Sequence, residues 1–288
     1  MGGKSKVPIA LRLIPILFPK VEAIAPSLAR RFFVYLFFKP LRYKLPQKEL
    51  EVAASGHQHS GVIGGKRIQF YSWGEEGRPV VLLVHGWAGR ATQFRKFIPN
   101  LLGAGFRVVA FDGPAHGNSE GNKTNLEEFR SVIEYCCSKQ DQIVAAITHS
   151  FGGGAMLYTI SKGLKFKIVI NIGTPTIGDL IINTYLNAVN GSQETGNYFR
   201  NYVKKVTGRP FDDYTTMGFI DKVPQDLNLL LIHDTDDKEA PIENATELAK
   251  VFPVELMITT GLGHTRILKD QAVIERAVTF IRSRSSGS

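Results

Sequence analysis

A serine, a histidine and a group of aspartates occur in this sequence where they could act together in nucleophilic catalysis. Ser150 lies between an apolar run and a Gly-rich stretch, in Thr148-His149-Ser150-Phe151-Gly152-Gly153. A serine on a sharp turn between a strand and a helix is exposed, and the free N–H groups of that helix favour negative charge beside it. His264 follows two glycines, which free its loop to bring an imidazole toward a serine. The imidazole would take the hydroxyl proton while a carboxylate orients the ring.

The carboxylate has two candidates. Asp236 and Asp237 come shortly after an apolar run and before Pro241. Only the conformation of this loop decides which carboxylate reaches the histidine, so the residues alone leave the choice open.

The elements that would hold these residues alternate between strands and helices. Predicted strands cover residues 67–73, 80–84, 107–111, 143–148, 167–172, 227–232 and 254–259. Predicted helices cover residues 94–102, 126–137, 153–162, 243–251 and 271–282. This alternation predicts an α/β fold with a doubly wound, mostly parallel sheet. The serine, the aspartates and the histidine each follow a predicted strand.

One connection between predicted strands is unusually long. Residues 174–224 are polar, contain seven aromatic side chains and have a pattern that favours helices of their own. Connections of this length in compact domains are usually lids or binding elements. We expect a helical lid insertion, whose aromatic residues suggest an apolar pocket.

Over roughly residues 66–283 the chain resembles the α/β-hydrolase superfamily. The segment around Ser150 is similar to the nucleophile elbow Gly-x-Ser-x-Gly, with Thr148 in place of the first glycine. His85-Gly86-Trp87 looks like the His-Gly-x oxyanion loop of the family, in which the histidine is structural. Residues 112–119 are similar to its Asp-x-x-Gly-x-Gly-x-Ser turn, which is architectural. The order Ser, Asp, His along the chain is that of the family's catalytic triads.

The resemblance implies a role for each candidate. Ser150 would be the nucleophile and His264 the general base. Relatives have Gly-x-x-Asp-x-x-x-Pro where this chain has residues 234–241, and alignment on the proline makes Asp237 the acid. Asp236 remains the alternative.

The implied chemistry is hydrolysis through an acyl-enzyme. The backbone N–H groups of Trp87 and Phe151 would form the oxyanion hole. No metal or organic cofactor is required. We expect a carboxylesterase for small to medium apolar acyl esters, although a thioesterase or lipase would use the same triad. The alternative from another class is a catalytically silent protein of this fold that binds a lipid or a partner.

The formal net charge of +9 arises in the first 48 residues. They contain ten basic residues and one acid, Glu22, whereas the charges of the remaining 240 residues balance. Apolar residues interleave the basic ones without a nucleic-acid motif, so we expect no nucleic-acid partner. The segment would either form helices that pack on the catalytic domain beside the site, or contact an anionic membrane at its surface. We favour packing on the catalytic domain, since apolar extensions usually cover a core.

The predicted domain organisation is an N-terminal extension at residues 1–56, the hydrolase domain at 57–283 and a disordered tail at 284–288. Residues 57–65 are predicted to be a linker, and the pair His57 and His59 lacks further residues at metal-ligand spacing. Charged residues interrupt every apolar run before it reaches the roughly 20 residues that span a bilayer. Without a convincing export signal, we expect a cytoplasmic protein, with peripheral membrane contact as the alternative.

Overall fold

The centre of the computed structural model is an eight-stranded, mostly parallel sheet. The structure describes residues 9–140 and 142–285. The strands are β1 (His57–Ile63), β2 (Lys66–Trp73), β3 (Val80–Val84), β4 (Arg107–Asp112), β5 (Ile143–His149), β6 (Ile168–Ile172), β7 (Asn228–Asp234) and β8 (Glu255–Thr259). Their order across the sheet is β1-β2-β4-β3-β5-β6-β7-β8. Only β1 and β2 run antiparallel to their neighbours among the described strands.

Helices cover both faces of this sheet. The α-helices are α1 (Ile9–Ile24), α2 (Pro26–Phe37), α3 (Gln47–Ala54), α4 (Phe97–Gly103), α5 (Leu126–Ser138), α6 (Phe151–Ser161), α7 (Gly178–Val189), α8 (Gln193–Thr207), α9 (Thr216–Phe219), α10 (Glu243–Val251), α11 (Gly263–Arg266) and α12 (Gln271–Ser285). Side chains of α3, α4 and α12 form the core on one face, and those of α5, α6 and α10 form it on the other. The predicted doubly wound sheet is confirmed.

Strand composition explains this layering. All residues of β3 and of β6 are buried. A continuous run of Val, Leu and Ile suits a strand that is covered on both faces, because the side chains on both faces are then buried away from water. At the edge of the sheet, β1 is largely exposed.

The N-terminal extension is helical and rests on the insertion between β6 and β7. Helices α1 and α2 pack on α7 and α8, and their shared core includes Phe33 and Phe199 with their rings 5.8 Å apart. Glu22 accepts a hydrogen bond from the Ser192 hydroxyl at 2.6 Å, and Arg30 pairs with Glu194 at 2.9 Å. No helix within the described part of the chain is long and apolar enough to cross a membrane.

The predicted linker at residues 57–65 is wrong. Residues 57–63 are strand β1, which pairs with β2 from His57 opposite Ser72 to Ile63 opposite Lys66. Gly64 and Gly65 have φ of 55° and 76°, so they form the tight turn of a β-hairpin. The glycines that suggested a linker therefore serve a turn at the sheet edge.

The predicted disordered tail begins too early. Arg284 and Ser285 belong to the last turn of α12. The Arg284 guanidinium lies 4.0 Å from the centre of the Phe280 ring and pairs with Glu255 of β8, which extends the helix. The rest of the predicted tail lies outside the described residues.

Candidate active site

Ser150 occupies a strained turn between β5 and α6. Its φ is 52° and its ψ is −126°, a conformation that costs a non-glycine residue on the order of 1–3 kcal/mol. Neighbouring chains lie so close that a Cβ on Gly152 would collide with the carbonyl oxygens of Val84 and His85. A Cβ on Gly86 would lie 2.7 Å from the Ser150 Cβ. Small residues at these positions let the loop after β3 run directly against the serine.

Asp237 and His264 form a buried pair at the carboxyl ends of β7 and β8. His264 Nδ1 donates to Asp237 Oδ2 at 2.7 Å. Asp237 Oδ1 accepts the backbone N–H groups of Glu239 and Ala240 at 2.9 and 2.8 Å. Every oxygen of this carboxylate is thus bound, which fixes the ring orientation and leaves Nε2 as the basic nitrogen.

The pair favours a charged histidine. Burial opposes the charge on His264, but the hydrogen bond and the charge of Asp237 outweigh it and raise the pKa of His264. Burial likewise opposes the charge on Asp237, but its hydrogen bond and attraction to His264 hold the pKa of Asp237 below the usual value. An imidazolium formed during catalysis would therefore be stabilised here.

The structure brings Asp237 rather than Asp236 to the histidine. Asp236 is exposed, and its backbone N–H donates to Asp234 Oδ1 at 3.0 Å. The chain turns tightly after β7, so the side chains of Asp236 and Asp237 point in different directions. The carboxylate of Asp237 contacts Nδ1 of His264, and that of Asp236 does not.

Asp234 has a structural function that sequence reasoning missed. Its carboxylate accepts the Thr259 hydroxyl at 2.7 Å and the N–H groups of Leu262 and Gly263 at 3.1 and 2.8 Å. Burial raises the pKa of Asp234, but these hydrogen bonds outweigh it and hold the pKa below its usual value. Asp234 therefore clamps the loop that carries His264. The signal in the sequence was its replacement of the glycine usual in relatives.

His149 is a second contact that sequence reasoning missed. Its Nε2 donates to the His264 carbonyl at 2.8 Å, and its Nδ1 accepts from Gln93 Nε2 at 3.1 Å. Burial lowers the pKa of His149 to about 3, so the ring is neutral. The ring centres of His149 and His264 are 4.7 Å apart, which brings the residue before Ser150 against the histidine.

The remaining contact of the predicted triad is the one between Ser150 and His264. Within the described ranges, the Ser150 hydroxyl forms no hydrogen bond with His264. Catalytic hydrogen bonds are often long in free enzymes and tighten around the substrate. Gly173, at the end of β6 with φ of 57°, leaves room on this side, since a Cβ there would lie 3.2 Å from Asp237 Oδ2.

Trp87 and Phe151, the predicted oxyanion donors, lie side by side. Their rings meet edge to face with centres 5.3 Å apart. The Ala88 N–H, at φ of 55°, donates to His116 Nε2 at 3.1 Å, and burial lowers the pKa of His116 to about 4. A neutral His116 thus holds the loop after β3.

Two other residues support these loops. His85 Nε2 accepts the Gly113 N–H at 2.8 Å, and Asp112 accepts the N–H groups of Ala91 and Asn118, both at 2.9 Å. The predicted structural roles of His85 and of the turn at Asp112 agree with these contacts.

The aromatic residues of the insertion do not form the expected pocket. Phe199 and Phe211 are buried, and both pack against Phe37 of α2. They form part of the interface with the N-terminal extension.

Comparisons with known proteins agree with this architecture. The family described as alpha/beta hydrolase fold matches residues 79–213. A monoacylglycerol lipase of Mycolicibacterium smegmatis is 32% identical over 110 residues, 35% of this chain and 39% of the lipase. A bifunctional esterase/perhydrolase of Acinetobacter calcoaceticus is 26% identical over 129 residues, 43% of this chain and 46% of the relative. The match thus spans less than half of the length of these curated relatives.

Solved structures show the same fold at low identity. An esterase of Pyrococcus furiosus superposes with a TM-score of 0.63 at 17% identity, over 85% of this chain and 97% of the esterase. A membrane phospholipase A, described as a bacterial virulence factor, superposes with a TM-score of 0.62 at 12% identity, over 96% of this chain and 97% of the phospholipase. The chain thus has the α/β-hydrolase fold, and the family match and the curated relatives indicate the α/β-hydrolase superfamily.

Proposed function

We propose that this protein is a serine hydrolase that cleaves carboxylic esters of small to medium apolar acyl groups. The observation that carries the proposal is the 2.7 Å hydrogen bond between His264 and the buried Asp237, next to a serine on a strained turn. Such a pair raises the basicity of the outer imidazole nitrogen, which is what a serine nucleophile requires.

The reaction follows from these positions. When substrate binds, His264 Nε2 takes the hydroxyl proton of Ser150, and the Ser150 oxygen attacks the acyl carbonyl. The proton then passes to the leaving alcohol, and the acyl group stays on Ser150. A water that gives its proton to the same nitrogen hydrolyses the acyl-enzyme. Asp237 keeps Nδ1 protonated throughout and stabilises the imidazolium.

The N–H groups of Trp87 and Phe151 are proposed to stabilise the oxyanion. They belong to adjacent segments, since the two rings are 5.3 Å apart and Gly86 lies against Ser150. The loss of one such donor typically costs about 3 kcal/mol in the transition state.

The substrate class rests on the surroundings of Ser150. The partly exposed rings of Trp87 and Phe151 offer apolar surface beside the nucleophile, which suits an apolar acyl group. Two relatives bear the names monoacylglycerol lipase and bifunctional esterase/perhydrolase, which supports an ester as the substrate. A thioester would enter the same chemistry.

The test is hydrolysis of p-nitrophenyl esters from acetate to palmitate. Wild type is compared with Ser150→Ala and with Ser138→Ala, which changes an exposed serine at the end of α5. We expect turnover that Ser150→Ala abolishes and Ser138→Ala leaves intact, and labelling of Ser150 by a fluorophosphonate. No turnover of any ester or thioester, together with no labelling, would overturn the proposal in favour of a silent binding protein.

A further inference from the structure

Helix α1 is apolar on opposite sides, yet only one side is covered. Phe18 is buried against the insertion. On the opposite side the exposed fractions are 44% for Leu13, 57% for Ile16, 49% for Leu17 and 86% for Ile24. A helix on the surface of a globular protein normally turns polar residues outward, and a helix that is apolar all round is normally buried. The outer side of α1 is therefore an apolar surface that no other part of the described chain covers.

Helix α2 continues this surface. Leu28, Phe32 and Tyr35 recur at helical spacing, with exposed fractions of 62%, 39% and 37%. With Val21, these residues of α1 and α2 make up half of the large hydrophobic side chains that are exposed in the described part of the chain. Single exposed apolar residues are ordinary, but a concentration of this kind marks an interaction surface.

The charge of this surface has one sign. Arg12, Lys20 and Arg31 are exposed on the same two helices. Glu22, the one acid among residues 9–37, faces α8 and accepts hydrogen bonds from Ser192 and Thr195. The outer side of α1 and α2, the helical hairpin of residues 9–37, is thus apolar and basic, without a carboxylate.

We propose that the outer side of α1 and α2 docks on the surface of an anionic lipid bilayer. Exposed aliphatic and aromatic side chains insert at the boundary of headgroups and acyl chains, while basic side chains meet lipid phosphates. Uniform positive charge complements a bilayer and opposes association with a second copy of the same face.

Docking would bring the mouth of the site close to the bilayer. The ring of Phe37, at the end of α2, lies 4.4 Å from that of Tyr185 in α7. In the same helix the Thr184 hydroxyl donates to the Glu239 carbonyl at 3.1 Å, and Glu239 Oε2 lies 3.9 Å from His264 Nε2. One consequence, which rests on the proposed function, is that the ester is presented by the membrane.

The experiment measures partition of the full chain, as the Ser150→Ala variant, to phosphatidylcholine vesicles with and without phosphatidylglycerol. We expect binding only to the anionic vesicles, weakened by salt. Lys20→Gln and Arg31→Gln should each lower partition about fivefold, because each basic residue near an anionic surface contributes about 1 kcal/mol. The double variant Ile16→Ser/Ile24→Ser should lower it about tenfold or more.

Matched controls separate the hairpin from exposed residues elsewhere. Val62→Ser/Val251→Ser removes equally exposed apolar side chains, and Lys165→Gln removes an exposed charge outside the hairpin. These variants should bind like the parent, and circular dichroism should show all variants folded. Partition that ignores phosphatidylglycerol and salt, or that falls equally in the controls, would overturn the proposal. A dimer held by the hairpin that does not bind vesicles would also overturn it. Hydrolysis of p-nitrophenyl acetate by the wild-type protein without vesicles tests the proposed function separately.

Discussion

The side chain of His149 donates a hydrogen bond to the backbone carbonyl of His264, with 2.8 Å between Nε2 and the oxygen. The residue before the candidate nucleophile thereby holds the backbone of the candidate base. Because the elbow around Ser150 packs closely against the loop after β3, this hydrogen bond ties the histidine loop to a closely packed part of the site.

The change His149→Phe should lower kcat about tenfold to a hundredfold with little effect on KM. Phenylalanine keeps most of the volume but leaves the His264 carbonyl without its donor, at a cost of about 1–3 kcal/mol. Steady-state kinetics on p-nitrophenyl acetate measure the effect. Unchanged kcat in a folded variant would show that the hydrogen bond does not position the base.

The change Asp237→Asn should lower kcat by a factor of about 10⁴, because an amide in place of the carboxylate allows the wrong imidazole tautomer. Asp236→Asn is the matched control and should retain near-normal kcat, since that side chain is exposed. Kinetics of the two variants at one pH decide the matter. The reverse order of effects would assign the acid to Asp236.

The rate of ester hydrolysis should fall on the acid side of a pKa that lies above 6.5. The base must be neutral to accept a proton, and the Asp237 carboxylate raises the pKa of His264 from the model-peptide value of 6.5. Activity therefore increases as pH rises through this pKa. A profile of kcat/KM against pH measures it, and an inflection below 6.5 in the wild type would contradict the expectation.

The change Asp234→Gly should reduce both stability and activity, although glycine is the usual residue in relatives. It removes three hydrogen bonds to the loop of Thr259, Leu262 and Gly263, with an expected loss of about 3 kcal/mol of unfolding free energy. Asp236→Ala, which removes an exposed carboxylate from the same turn, serves as control. Urea unfolding compares them, and equal stabilities would refute the clamp.

The change Gly152→Ala should prevent folding or cost more than about 3 kcal/mol, because its Cβ would meet the carbonyl oxygens of Val84 and His85. Gly154→Ala lies on the same helix, where the nearest heavy atom to the new Cβ is Thr216 Oγ1 at 3.8 Å. It should stabilise the helix by about 0.5–1 kcal/mol. Thermal unfolding of both variants tests the contrast, which would fail if the two behaved alike.

Much of the fold could be predicted from sequence because buried parallel strands have a distinctive composition. The run Val80–Val84 is both a predicted strand and the observed β3. At residues 57–63 the apolar pattern is weak, since β1 lies at the exposed edge, and glycines and histidines masked the strand. Edge strands are held by backbone pairing, which leaves little trace in side chains.

The sequence by itself determined that Ser150, the aspartates at 236 and 237 and His264 follow one another at the ends of strands, because local composition marks strands and turns. Tertiary structure decided which carboxylate meets the imidazole, that Asp234 and His149 hold the histidine loop, and that the aromatic residues of the insertion cover the N-terminal helices. These are contacts between segments up to about 170 residues apart in the chain. Long-range packing determines these contacts, and the spacing of residues along the sequence does not predict them.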